Sequence, residues 1–326
     1  MKENYRRFLW IDWMKTIGIY LIVVGHFFCT FTGIVYVFSV PLFFMISGYL
    51  SRNNEKCEIF FSKMWNNLIL PMIIICLSTS LLALKGGMGD NLHSILSLYM
   101  QRCMYAILGY HSALDTCWFI YTLCLVKTIH YYLNKKWIIA FLLLACIIGS
   151  YLLKNVSVIP NSWANVLVSY PFFIIGFSLK DYLPICVEKI RYWRFMIKGG
   201  VSAILVCLLY VILLLNTEPY MYTNSFGNNY FIFLLGGVLG FFLILILSVV
   251  LDKYKSDIII TLSKGTIVIL GYHRIMIELI QNVDPSSHNY WGWGYSLVIL
   301  FAFYPVILFC NRYFPIILGK RAFKKA

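Results

Sequence analysis

The stretch MIKGGVSAILVCLLYVILLL, residues 196–215, decides the fold class: beyond Lys198 it carries no charge, and its apolar residues follow one another without alternation. At 1.5 Å per residue, about 20 such residues cross a hydrocarbon core of about 30 Å as an α-helix. A transmembrane β-strand would alternate polar and apolar positions, and Val201–Leu215 does not. Similar runs recur throughout the 326 residues, of which 61% are apolar or aromatic and 12% charged. A soluble domain carries about 25% charged residues, so a water-soluble globule is excluded. With a mean hydropathy of +0.79, the expected fold is an all-α, polytopic membrane bundle forming one domain over residues 1–326.

Windows of about 20 residues predict about ten spans, at 10–29, 33–50, 66–84, 117–134, 137–153, 163–181, 196–215, 229–251, 258–280 and 290–312. Segment 91–109 reads as amphipathic, with His93 and Arg102, and is expected to lie on the surface or re-enter rather than cross. The net charge of +14 would suggest nucleic acid in a soluble chain, but here the bases mark orientation. They gather in the tails at 2–7 and 320–325 and in the connections at 52–63, 135–136, 189–194 and 253–255, whereas the opposite connections hold only Lys85, Arg102 and Lys154. Cytoplasmic segments are enriched in Lys and Arg, so both termini are expected in the cytoplasm of a multi-pass inner (plasma) membrane protein. Lys2, Arg6 and Arg7 before an apolar stretch mimic a signal peptide; with no small-x-small site after it, an uncleaved first helix is expected. Trp10, Trp118, Trp163, Trp291 and Trp293 fall at span ends, as in an interfacial belt. The 10 cysteines are scattered singly, with no CxxC pair and no His-x-x-His, so neither a disulfide framework nor a metal site is expected.

An ionisable residue inside a span costs a few kcal/mol on insertion scales, which makes each one a functional candidate. On the first span Asp12, Lys15, Ile19, Ile22 and His26 follow at intervals of 3, 4, 3 and 4 and share one helical stripe. His26 then lies about 21 Å along the axis from Asp12, in the outer half of the bilayer. The ninth segment carries Lys264, His273, Arg274 and Glu278, with Arg274 and Glu278 spaced to pair. His273 is as far past Ile258 as His26 is past Ile11, so on two parallel helices the imidazoles reach one level. The plainer readings are a histidine bonded to a neighbouring helix and a surface Asp12–Lys15 ion pair. On the second span Pro41 interrupts helix bonding, and Ser39, Ser47 and Gly48 permit close helix approach. Lys127 and His130 are expected to snorkel to the cytoplasmic boundary, and His111 and Asp115 to lie in a solvated loop before Trp118.

The ordered set IDWMK and VVGH at 11–26, PLFFMISGYL at 41–50, CWFIYTLCLVK at 117–127, YPFFIIGFSLK at 170–180 and SKGTIVILGYH at 263–273 resembles the acyltransferase 3 family of integral-membrane acyltransferases. Within it, the chain is similar to the branch of fucose 4-O-acetylases. The resemblance implies transfer of an acyl group, usually acetyl from acetyl-CoA as cosubstrate, to a hydroxyl of an extracytoplasmic or lipid-linked sugar. The family's first-span histidine maps onto His26, its preceding acidic and basic residues onto Asp12 and Lys15, and its later histidine onto His273. Family arginines before the third-span proline are replaced here by SKMWNNLILP, leaving Lys63 or other cytoplasmic bases for the donor.

In such chemistry His26 serves as general base or as a transient acyl carrier, because imidazole titrates near neutrality and is nucleophilic. His273 would orient the donor or stabilise the oxyanion, and Ser39, Pro41, Ser47, Trp118 and Tyr121 would pack around or line the site. Expected partners are acetyl-CoA, a carbohydrate or lipid-linked saccharide acceptor and membrane lipid, without nucleic acid. The rival readings are a transporter or flippase for a lipid-linked sugar and a scaffold for polysaccharide assembly.

Overall fold

The computed structural model describes residues 8–52, 55–83, 92–154, 159–285 and 291–320, and over these the chain is all-helical, with one isolated bridge between Tyr220 and Ser225. Lys2, Arg6, Arg7, Lys85, Arg321, Lys324, Lys325 and the side chain of His93 lie outside the described residues. The helices are α1 (Leu9–His26), α2 (Thr32–Leu50), α3 (Cys57–Met64), α4 (Leu70–Ala83), α5 (Leu92–Leu108), α6 (His111–Leu114), α7 (Trp118–Tyr132) and α8 (Lys136–Leu152). They continue as α9 (Asn161–Ser178), α10 (Leu183–Tyr192), α11 (Phe195–Leu215), α12 (Tyr230–Leu251), α13 (Asp257–Lys264), α14 (Thr266–Val283) and α15 (Gly292–Tyr313).

Among the described residues six helices, or eight if each bent pair counts as one, are long and apolar enough to cross a membrane, which makes this a multi-pass membrane protein. The ten expected spans exceed that number for local reasons. The window at 10–29 ends as helix at His26 and carries Asp12 and Lys15. α8 has only 17 residues. The windows at 163–181 and 258–280 are bent: α9 and α10 meet at 70°, α13 and α14 at 82° across Gly265. The segment expected to lie on the surface forms α5, whose Leu96, Leu98, Met100, Met104 and Ile107 are exposed.

α2 lies at the centre, packed along α9, α12 and α1. Small residues make that possible: a Cβ on Gly48 would overlap the Phe173 carbonyl oxygen, and one on Gly176 the Met45 carbonyl oxygen. The α2–α9 crossing is therefore a backbone-to-backbone contact, as small residues allow in membrane helices. On α12, Gly236, Gly237 and Gly240 instead make room for the side chains of Val37, Phe172 and Phe38. α2 continues through Pro41, whose ring lies against Gly237. The third span instead carries a π-helical turn at Trp65–Ile69 just before Pro71, where the missing N–H leaves a carbonyl of the preceding turn unpaired. On the outside, Ile204, Leu208 and Leu214 of α11 and Phe301 and Phe309 of α15 are exposed, as lipid-facing surfaces are. The tryptophan belt is only partly realised: Trp163 and Trp291 are exposed, whereas Trp10 and Trp118 are buried in the bundle.

Candidate active site

The predicted stripe on α1 faces a cavity. Asp12, Lys15, Ile19 and Ile22 line a space of about 1440 Å³, closed on other sides by Ser47 of α2, Phe119, Leu123 and Lys127 of α7 and Ser263 to Leu270 of the broken α13–α14 pair. Ile22 and Leu270 are the last lining residues before the histidines on their helices, and His26 and His273 follow each by about one helical turn. The two rings meet there, with centroids 4.8 Å apart and planes at 44°. Their convergence does not come from parallel unbroken helices. The 82° bend at Gly265 removes the premise that His273 lies fifteen residues up a straight span; it sits in the second turn of α14, which packs directly on α1.

His273 is fully buried. Its Nδ1 lies 3.0 Å from the Ile269 carbonyl and 2.9 Å from that of Leu270. Carbonyls only accept, so Nδ1 carries the proton, and in the neutral ring Nε2 is a bare acceptor. That Nε2 is sealed from solvent and has no hydrogen-bond partner among the described residues. A neutral His273 therefore has no second N–H to offer an oxyanion, contrary to one of the roles expected for it. His26 is the more open of the two, at the end of α1, where the Tyr36 hydroxyl donates to the Gly25 carbonyl at 2.5 Å.

Asp12 is buried and accepts a hydrogen bond from Ser263 Oγ at 2.6 Å, while Thr16 Oγ1 donates to the Ile259 carbonyl at 3.4 Å. The acid thus fastens α13 to α1 at the mouth of the cavity, a part beyond the surface ion pair read from spacing alone. Lys15 lines the same mouth. Lys63 lies outside this space, in an adjoining lobe of about 1170 Å³, paired with Glu55. The two lobes share a wall that includes Ser47, Arg52, Asn67, Lys127 and Lys180.

Several expectations require correction. Arg274 pairs with Asp115 of the turn before α7; no ion pair joins it to Glu278 among the described residues. Asp115 holds that position with φ of 47° and ψ of −126°, a conformation that favours glycine. His111 is not in a solvated loop: it is buried, donates from Nδ1 to the Tyr222 carbonyl at 2.6 Å and lies 5.0 Å from the Trp118 ring. His130 does not snorkel but is buried among Tyr170, Phe173 and Phe177. Of the residues expected to pack around or line the site, Ser47 lines the cavity and the others pack elsewhere in the bundle. Ser39 is buried between helices, Trp118 packs on His111, and Tyr121 turns away from the cavity to donate to the Ile107 carbonyl at 3.0 Å.

The sequence reading missed the segment at 216–229, which folds over the N-terminal ends of α2 and α9. Asn216 holds it closed: Oδ1 accepts from the amides of Asn228 and Asn229, and Nδ2 donates to the Phe226 carbonyl. Its Tyr220 ring meets Tyr36 edge-on at 5.2 Å, and its Tyr222 ring stands 4.8 Å from His111. Burial pushes both tyrosine hydroxyls up from their ordinary pKa, so they remain proton donors. Its cluster of Asn, Pro and Gly signals a built turn, but not which face it covers.

A family model described as an acyltransferase domain, that of the acyltransferase 3 family, matches residues 8–312. No curated protein matches the chain, and no solved structure does.

Proposed function

The chain belongs to the acyltransferase 3 family, and from that premise we propose that it moves an acetyl group from cytoplasmic acetyl-CoA to a hydroxyl of an extracytoplasmic or lipid-linked sugar. One observation carries the proposal: a cavity rimmed by lysines follows the Asp12 to Ile22 stripe and ends one turn short of the His26–His273 pair. From Lys15 to His26 the axial distance is about 17 Å at 1.5 Å per residue. That is the reach of an extended pantetheine arm, so a donor entering at Lys15 delivers its thioester to the histidines. The sugar acceptor follows from the similarity to the fucose 4-O-acetylase branch. In this reading α1 and α8 also cross, making ten spans of an inner-membrane protein with both termini in the cytoplasm.

The acceptor oxygen attacks the thioester carbonyl while a ring nitrogen of His26 takes the hydroxyl proton. Collapse of the tetrahedral intermediate breaks the C–S bond, and the proton passes from His26 to the departing thiolate, leaving the ester and CoA thiol. His273 acts behind His26. With Nδ1–H held by the Ile269 and Leu270 carbonyls, its Nε2 is the acceptor available to an N–H of His26 in the reaction, which would leave the other His26 nitrogen as the base.

Purified protein supplied with labelled acetyl-CoA and a saccharide acceptor should release CoA thiol and label the acceptor. Mass analysis of surface polysaccharide from cells with and without the protein should show a lost acetyl mass. A protein that carries saccharide across vesicles without consuming acetyl-CoA would sink the proposal in favour of a transporter.

A further inference from the structure

A third cavity stands apart from the histidine pair and shares no residue with either lobe beside it. It encloses about 390 Å³ between the end of α10, the start of α11 and the end of α12, within the range of about 300–1,000 Å³ usual for small-ligand sites. The sequence sets its depth. From Gly199 to Leu215 α11 carries no charge, a run of about 26 Å at 1.5 Å per residue, close to a hydrocarbon thickness of about 30 Å. Lys198 therefore stands at one boundary of the apolar layer. α12 is uncharged from Tyr230 to Leu251 and gives way at once to Asp252 and Lys253. Near the opposite ends of these helices Gly236 faces Ile212, so the two run antiparallel, and Lys198 and Lys253 meet at one level.

Three bases and one acid line the cavity. Arg191 is spent, because it pairs with both Glu188 and Asp252. Lys198 and Lys253 form no ion pair among the described residues. Lys198 is half-buried and held in place by donating from Nζ to the Arg191 carbonyl at 3.2 Å, a neutral acceptor that takes one of its three N–H groups. Lys253 Nζ lies 4.8 Å from the centre of the Tyr254 ring, which leaves its charge uncancelled. With Glu188 counted, one positive charge is left over, and one phosphodiester balances it. The positive-inside rule accounts for bases at this face. It does not account for two of them closing on a cavity whose other wall is Val249 and Val250.

We infer that this cavity binds an anionic phospholipid of the surrounding leaflet, with Lys198 and Lys253 on its phosphate and its chains passing over Phe195 and Val250. A soluble phosphate would have no use for the apolar wall, and it would not meet the two lysines at the edge of a hydrocarbon layer. Phe195, 80% exposed, stands at the cavity, and Ile204, Val206 and Leu208 farther along α11 are exposed, so the helix continues as an apolar surface on which acyl chains can lie. Basic pockets between spanning helices hold anionic headgroups in this way. The site does not depend on the transferase reading.

The test is native mass spectrometry of the full chain in detergent, titrated with phosphatidylglycerol and with phosphatidylcholine of the same acyl chains. Wild type should bind phosphatidylglycerol at least about fivefold more tightly, the effect of one lysine beside an anionic headgroup. Lys198→Gln with Lys253→Gln should remove the preference. Lys189→Gln with Lys255→Gln takes the same charge from the basic connections outside the cavity and should keep it. Val250→Trp fills the cavity while leaving both lysines, and it should lose the preference, which attraction by charge alone would preserve. Glycerol 3-phosphate, a headgroup without chains, should not displace the lipid at equal concentration. Equal wild-type affinity for the two lipids, loss of the preference in the Lys189 and Lys255 double variant, its survival in Val250→Trp or in the Lys198 and Lys253 double variant, or displacement by glycerol 3-phosphate would overturn the site.

Discussion

The ring of His273 lies 4.8 Å from that of His26, with its Nδ1 committed to two carbonyls of its own helix and its Nε2 sealed from solvent without a partner among the described residues. The arrangement gives the two histidines unequal parts. The ring that is locked and closed off can only position, and the more open one at the end of α1 is left to exchange protons with a substrate.

Non-additivity follows from that division. His26→Ala should lose at least about 10²-fold in acyl transfer, the lower bound for general-base catalysis. His273→Ala should lose at least about tenfold, for a base that is no longer oriented. The double variant should be hardly worse than His26→Ala alone, because residues that act as one unit do not contribute independently. Parallel assays of transfer and acetyl-CoA hydrolysis keep the residual rates measurable. Losses that multiply, or a His273→Ala enzyme with wild-type turnover, would separate the two residues.

The Asp115–Arg274 pair allows stability and activity to be pulled apart. Asp115 adopts a glycine-favoured backbone and keeps it while joining the turn before α7 to the residue next to His273. Asp115→Gly should relieve strain of order 1 kcal/mol and also remove the ion pair, so its melting temperature should stay near wild type. Activity should fall several-fold as Arg274 and the neighbouring histidine lose their anchor. Asp115→Asn retains the strain and weakens the pair, and should be worse in stability than the glycine variant. A glycine variant with full activity would show that the pair does not position the site.

At the α2–α9 crossing, Gly48→Ala should be poorly tolerated. Its Cβ would meet backbone atoms of Phe173 and Phe177, which cannot rotate aside as a side chain can. Overpacking of a close-packed interior costs about 1–3 kcal/mol, and more where the obstacle is backbone. Gly199→Ala on α11, where nothing lies within 4 Å of the new methyl group, is the internal control and should be neutral. Thermal unfolding in detergent decides it, and equal melting temperatures for the two variants would contradict the packing.

What the sequence revealed, and what it hid, follows one physical line. The Asp12 to His26 stripe was readable because all of its residues lie on one continuous helix, where the 3.6-residue period sets the face. Gly48 was readable only as permission for close approach; that Gly176 and its helix backbone are what approach is a tertiary fact. Arg274 illustrates the limit: Glu278 one turn away looked like its partner, yet the chosen acid comes from a turn more than a hundred and fifty residues earlier. Hydropathy puts His111 and His130 at the boundaries because it places a residue in depth but not in azimuth. The bend at Gly265 was hidden for a related reason: a window of about 20 residues averages the polar Ser263, Lys264 and Thr266 around it with the apolar runs farther out on both sides.

Sidedness tests the direction in which the cavity is filled. Arg52, Lys127 and Lys180 gather at the ends of α2, α7 and α9 that carry basic connections, and those ends are cytoplasmic in the proposed topology. The lysine-lined mouth of the first lobe opens on the same side, while the segment at 216–229 covers the opposite ends, tied down through Asn216. CoA is polyanionic and cannot cross the hydrocarbon core unaided, so labelled acetyl-CoA should support transfer only when supplied to the face bearing those bases. Inverted vesicles should therefore be active with external acetyl-CoA, and sealed right-side-out vesicles inactive until loaded with it from within. Asn216→Ala loosens the opposite segment without touching the basic mouth. It should change the apparent affinity for the saccharide acceptor while leaving that for acetyl-CoA unaltered. Equal use of external acetyl-CoA by both vesicle types, or an Asn216→Ala effect confined to the donor, would mean that the cavity is filled from the other end.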